Sequence, residues 1–296
     1  MKHTRKEING MKRNMLLLPV LLVAVVALIL GAAAADSWAS GWGWGDPEEF
    51  EVAELYFELN DTDEDLGIHG KIDGGPWKSI WIKDPSYRSM MKVTARGRLR
   101  QQAVTELFFE SAEPTFDDLD PADFFDRFPE GYYRIYGWSE ENKLLKGKSL
   151  IRHVMPAPPG NIMISGHEGA INHKDVDCES DTLPEVELGE DDDVTISWAP
   201  VTGSHPDIGE DGDIEAALYQ LVVEMEVDGE DFESVFSVDL PPTVTEMTIP
   251  RAYIDLGLDE EGEGEFKFEI LVKEEEGGNQ TAAESCFAVV PPEEPE

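Results

Sequence analysis

Strict alternation of apolar and polar side chains is the feature that most constrains this chain. Only a half-buried β-strand sends successive side chains to opposite faces. Tyr219, Leu221, Val223 and Met225 alternate in one run, and Phe266, Phe268, Ile270 and Val272 alternate with Glu265, Lys267, Glu269 and Leu271 in another. Val194, Ile196 and Trp198 share one face of a run closed by Pro200. Phe236 and Val238 form a strand ended by Pro241-Pro242, Met247 and Ile249 precede Pro250, and Ser285 to Val289 follow the turn Gly277-Gly278-Asn279.

The first half repeats the pattern. Val52, Leu55, Phe57 and Leu59 lie in a run ending at Asn60-Asp61. Trp77, Ile80 and Ile82 form a run stopped by Asp84-Pro85, Met91, Val93 and Ala95 alternate with Lys92, Thr94 and Arg96, and Val104 to Glu110 is a further strand. One short helix is predicted over Asp120 to Phe128. Asp120 suits the N-cap and Pro121 the first helical position, where a missing N–H costs nothing. Tyr132 to Tyr136 and Ser149 to Val154 then read as a closing hairpin. Short strands and turns at this spacing predict an all-β chain of two β-sandwich domains, 47–158 and 185–290, with that helix in the first. Residues 159–184 read as a linker and 291–296 as a disordered tail.

Residues 1–35 read as a signal peptide or membrane anchor. Lys2, Arg5, Lys6, Lys12 and Arg13 form a basic start, Leu16 to Leu30 is apolar, and Ala33-Ala34-Ala35 matches a cleavage site. The expected address is outside the cytoplasm: periplasmic, cell-surface or secreted. Membrane contact is expected only through this segment, if it stays uncleaved. Residues 36–46, with Trp38, Trp42 and Trp44, read as a flexible Gly/Trp leader.

Charge excludes a class of partner. The 296 residues carry 23 Lys+Arg against 63 Asp+Glu, a net of -40. Nothing here neutralises phosphates, so nucleic acid is not a partner. The imbalance is concentrated: 175–296 holds 37 acidic residues against Arg251, Lys267 and Lys273. Two such different surfaces point to two domains, and a saline habitat explains them without a dedicated cationic partner.

The second domain resembles a fibronectin type III domain in VTISWAPV (194–201), the Tyr219/Leu221/Val223 strand, VTEMTIP (244–250) and EFKFEILVKEEEGGNQT (265–281). The resemblance implies a sandwich and no activity. Phe266 stands where such domains carry a corner Tyr, which leaves packing without the hydroxyl bond. The first domain resembles the immunoglobulin-like superfamily more loosely: PEGYYRIYG (129–137) is similar to a corner and sixth strand, and NDTDEDLGIHG (60–70) is similar to a block in exported bacterial proteins. First and last strands of such sandwiches run near each other, which allows a Cys178–Cys286 disulfide in an exported chain. The alternative is a core Cys286 and a free Cys178.

Few residues offer chemistry. Met163-Ile164-Ser165-Gly166-His167 lacks the glycines of a nucleophile elbow. His167 and His173 miss metalloprotease spacing and read as solvated linker, and His69 and His153 as packed or surface side chains. Catalytic residues are therefore not assigned. Asp61, Asp63 and Asp65 alternate in a turn suited to calcium, although Leu66 and Ile72 stand where an EF-hand needs Gly and Glu. Asp207, Asp211 and Asp213 form a second calcium candidate, and the alternative for both is an acidic solvated turn. Two formal glycosylation sequons, at Asn60 and Asn279, carry no weight beside a bacterial-type leader.

The sequence thus predicts an exported, non-catalytic binding or structural protein with a protein or glycan partner. A calcium-dependent adhesive or carbohydrate-contacting protein is the alternative, and a hydrolase the third. Screening should relieve the self-repulsion of the acidic half. The melting temperature is therefore expected to rise between low salt and roughly 1 M NaCl, where the Debye length is about 3 Å. A flat response would show that the carboxylates are already compensated.

Overall fold

The computed structural model describes residues 46–180, 182–189, 192–227 and 232–292. The signal segment, nearly all of the Gly/Trp leader and most of the acidic tail lie outside these residues. Among the described residues no helix is long and apolar enough to cross a membrane.

The strands of the first half are β1 (Glu48–Glu49), β2 (Val52–Asn60), β3 (Asp65–Lys83), β4 (Ser89–Thr94), β5 (Val104–Glu110), β6 (Gly131–Ser139), β7 (Leu144–Ile151) and β8 (Val154–Pro156). Two helices, α1 (Gly97–Gln102) and α2 (Pro121–Arg127), interrupt them. The strands of the second half are β9 (Met163–Ile164), β10 (Glu185–Glu187), β11 (Val194–Ser197), β12 (Ser204–Gly209), β13 (Ala216–Glu226), β14 (Glu233–Leu240), β15 (Glu246–Ile249), β16 (Gly264–Glu274) and β17 (Gln280–Val290), with helix α3 (Arg251–Ile254) after β15. The chain is an all-β protein of sandwich architecture.

In the first sandwich the long strand β3 serves two layers. Its first part pairs with β2 and β5, and its last part with β4 and β6. The layers close on Leu55, Phe57, Ile72, Trp77, Ile80, Tyr133 and Ile135. Helix α2 forms as its sequence predicts: the Asp120 carboxylate accepts from the Ala122 N–H at 2.8 Å, and Pro121 opens the first turn. It lays Phe124 and Phe125 edge-on against Phe57, at 5.2 and 5.6 Å between ring centroids. The Tyr133 hydroxyl donates to the Pro129 carbonyl at 3.0 Å, so PEGYYRIYG makes the corner its sequence resembles. The six-residue helix α1, with no buried residue, is an addition that the sequence pattern does not announce.

In the second sandwich β14-β13-β16-β17 face β15-β11-β9. Val194, Ile196 and Trp198 all point inward, and Trp198 meets Tyr219 edge-on at 5.5 Å. Phe266 is buried and stacks on Phe287 at 5.3 Å. The Tyr253 hydroxyl in α3 lies 2.7 Å from the Val223 carbonyl and 2.9 Å from that of Ser234, so a hydroxyl bond exists near this corner although Phe266 cannot make one.

The stretch read as linker needs correction. Ile162, Ile164 and Ile171 belong to the second core, and β9 extends the small sheet beside β11. Three isoleucines among Pro, Gly and polar residues bury enough surface to fix this segment, though they make no strand-like run.

Nor are the two sandwiches merely tethered. β2 and β17 pair in parallel, Glu58 to Gln280 through Asn60 to Ala282, so one sheet runs through both. Asn279 is fully buried at this seam. Its Oδ1 accepts from the Phe57 N–H at 2.9 Å, and its Nδ2 donates to the carbonyls of Arg152 and Val154, both at 2.9 Å. Thr281 Oγ1 donates to the Pro156 carbonyl at 2.8 Å, and the Thr62 hydroxyl bonds both backbone groups of Glu284. Truncating Asn279 would orphan one N–H and two carbonyls, each costing about 1–3 kcal/mol when buried without a partner. Asn279→Ala is expected to lower unfolding stability by about 3 kcal/mol or more in urea titrations. A loss below about 1 kcal/mol would mean that water replaces the side chain at no cost.

Candidate functional site on the outer face of the junction

The turn after β2 carries the first calcium candidates, and the structure separates them. Alternation along β2 puts Leu55, Phe57 and Leu59 into the core, and Asp61, the next residue of that parity, also turns inward. Asp61 is 2% exposed, and both of its oxygens have donors. His173 Nε2 lies 2.8 Å from Oδ2, while His205 Nε2 at 2.9 Å and Lys174 Nζ at 3.0 Å reach Oδ1. His205 Nδ1 accepts from the N–H groups of Asp207 and Ile208 at 3.1 and 3.0 Å, which fixes the ring proton on Nε2. At Asp61, the first of the calcium candidates, the oxygens face two imidazoles and an ammonium. His173, read as solvated, is buried beside it.

Asp63 is exposed, and Asn60 Nδ2 donates to it at 3.3 Å. Asp65 is half-buried, and burial together with Glu113 and Asp63 pushes its carboxyl up to about 7. Asp207, Asp211 and Asp213 are exposed. Their connection docks on the first sandwich: β12 pairs with β8, and Ile208 packs on the first core. None of the six aspartates belongs to the one metal-compatible group found among the described residues. Cys178 and Cys286 are joined in a disulfide, with Cα atoms 5.6 Å apart. It fastens the segment that carries His173 to β17.

The metal-compatible group lies on the opposite face of the sheet and comprises Glu58, His69 and Glu113. Alternation sends Tyr56 and Glu58 of β2 outward, and register places His69 of β3 opposite Tyr56 and Gly67 opposite Glu58. Glu113 arrives from the connection after β5, whose Thr115 bridges to Asp65. It can lie across β3 because residue 67 has no side chain: a Cβ there would sit 2.5 Å from Glu113 Oε1 and 2.6 Å from its Cγ. His69 is buried, with Nε2 2.7 Å from Glu113 Oε1 and Nδ1 3.7 Å from Glu58 Oε2. Burial alone would lower the pKa of His69, but the Glu113 hydrogen bond and the Glu58 charge raise it overall. Burial pushes Glu58 up to about 7 against the opposing pull of His69. Further along the face, burial followed by the charges of Glu58 and Glu284 pushes Glu269 up to about 8. Lys267 pairs with Glu284 at 2.6 Å. The outer junction is thus a carboxylate-rich face with one imidazole set into it. In sequence none of Glu58, His69 and Glu113 reads as a ligand, and His69 reads as a packed or surface side chain, although the strand parity before Asn60-Asp61 is the signal that places Glu58 on the outer face. Glu113 had no signal of its own beyond an unexplained Gly67 in mid-strand.

No protein-family model and no curated protein matches the chain. Solved structures show likeness at low score. The FN1–FN3 domains of chicken CNTN1 share 8% identity over 83% of this chain and 69% of that one, with a TM-score of 0.31. A cytokine receptor complex shares 12% identity over 81% of this chain and 98% of its own, at 0.24. Trypsin-activated alpha-2-macroglobulin from Escherichia coli shares 11% identity over 81% of this chain and 16% of its own, also at 0.24.

The Asp61 cluster generates a pH dependence. Burial alone would raise its carboxyl, but hydrogen bonds from His173, His205 and Lys174 more than offset that and hold it well below the usual range. A carboxyl depressed on folding stabilises the native state above its unfolded value of about 3.9, and that contribution fades as pH falls further. Asp61→Asn is expected to cost about 3 kcal/mol near pH 7, as a broken buried ion pair does. Its deficit relative to the unmodified protein should shrink below about pH 4. A deficit constant from pH 7 to pH 3 in urea titrations would contradict a charged Asp61.

Proposed function

We propose that the chain is an exported, non-catalytic binding or structural module of the cell envelope or secreted fraction, acting as one two-sandwich body on a protein or glycan partner. The observation that carries this reading is how the described histidines and the elbow-like serine are used. His173 and His205 hold Asp61, His153 Nε2 bonds the Phe128 carbonyl at 2.8 Å, and His167 Nδ1 bonds the Glu185 carbonyl at 2.8 Å. His69 lies between carboxylates, and Ser165 Oγ accepts from the Thr195 N–H at 2.9 Å. Nucleophilic catalysis needs a hydroxyl or thiol paired with a base. Here Ser165 and His167 each serve a different strand, and both cysteines are in the disulfide. Asp61, the first candidate ligand of the calcium-dependent alternative, is bonded to His173, His205 and Lys174. Support for export comes from the basic, apolar and small-residue series over 1–35.

Cell fractionation and a turnover panel test this reading. The protein is expected outside the cytoplasm, and the purified protein is expected to leave glycan, ester and peptide substrates intact. Cytoplasmic retention would overturn export, and reproducible turnover of any one substrate would overturn the non-catalytic assignment.

A further inference from the structure

The outer-face group asks for more than its own side chains provide. Glu58 Oε2 is buried and has no hydrogen-bond partner. Its neighbour across the seam is Gln280, which stands in register with Glu58 on the adjacent parallel strand and therefore shares its face. Gln280 is 6% exposed, and its Oε1 is also buried without a partner. Two unpartnered oxygen acceptors thus sit on neighbouring strands across the seam, and one of them, Glu58 Oε2, faces an imidazole whose other side is held by Glu113. Buried acceptors left in this state are rare and costly.

We propose that Glu58, His69 and Glu113 hold a divalent first-row transition metal ion, with the Gln280 carbonyl oxygen as a neighbouring acceptor. One ligand atom from each of the three residues lies within 4.8 Å of the other two, so small side-chain shifts bring them to a common centre. Imidazole with carboxylates suits zinc or manganese, whereas calcium takes oxygen ligands alone. His69 binds as the neutral ring, and the proton it shares with Glu113 leaves to solvent as the ion enters. Gly67 is the positioning element, because any side chain there would push Glu113 off β3. The site straddles the seam: Glu58, His69 and Glu113 come from the first sandwich and Gln280 from the second. Metal binding would therefore tighten the same junction that Asn279 and Asp61 close from within.

Isothermal titration of the purified, chelator-treated protein with zinc, and separately with calcium, tests the proposal. One saturable equivalent of zinc is expected above the weak background of an acidic surface, with calcium at least tenfold weaker. Glu58→Gln and Gly67→Ala should each weaken zinc at least tenfold, in the range that loss of a ligand or of its support produces. Asp213→Asn, in the exposed acidic connection, should bind zinc as the unmodified protein does. The ring nitrogen resonances of His69 should move on the first equivalent, a readout that needs no variant to fold. Absence of a saturable equivalent, unchanged zinc affinity in a folded Glu58→Gln protein, calcium binding as tight as zinc, or a first equivalent that moves His173 or His205 instead of His69 would each overturn the assignment.

Discussion

A carboxylate taken out of water must find donors for its oxygens, and Asp61 finds them on two segments far along the chain. His173 lies 112 residues away and His205 lies 144 away, yet both imidazoles close on its two oxygens. Removing any one partner leaves a buried charge under-solvated, which costs several kcal/mol. The surrounding elements must therefore stay in place together. The segment after β9, held by the Cys178–Cys286 disulfide, presents His173, and β12 presents His205 while laying Ile208 on the first core. A few residues along the same seam, Asn279 ties the backbone of β2 to the carbonyls on either side of His153. These polar contacts convert two sandwich cores into one body with a continuous sheet.

Much of this fold is visible in sequence because strand alternation is a local signal. Tyr219 to Met225, Phe266 to Val272, the Asp120 cap and the Tyr133 corner each rest on neighbours within a few residues. The parity that buries Leu55, Phe57 and Leu59 also predicts an inward Asp61. Composition hid this, because in a chain with 63 acidic residues one more aspartate in a turn looks solvated. The parallel pairing of β2 with β17 has no local signal at all, since Glu58 and Gln280 are 222 residues apart and their own runs read as ordinary strands. The segment 159–184 looks like a linker because its only alternating pair, Ile162 and Ile164, is too short a signal among Pro, Gly and polar residues, and Ile171 stands apart from it.

The outer face shows the reverse balance. Its carboxylates follow from outward parity on β2, β16 and β17, but their burial does not. Glu113 crosses β3 only where Gly67 leaves room, and Thr115 then bridges to Asp65. Burial pushes Glu58 and Asp65 up to about 7 with the charge of Glu113 adding to both, and burial with the charges of Glu58 and Glu284 pushes Glu269 up to about 8. The strongly acidic composition thus has two physical outcomes. On exposed turns such as Asp207 to Asp213 it is solvated charge, and on the junction it is charge that the fold leaves short of cations.

The buried polar seam makes the two sandwiches one cooperative unit. Native-state hydrogen exchange measures this directly, because each protected amide reports the free energy of the opening that exposes it. The amides of Phe57 and Ile135 in the first core, and those of Leu221 and Ile270 in the second, should converge on one common opening energy as urea is added. Two separate isotherms, one for each core, would show that the seam carries no cooperativity and would contradict the account.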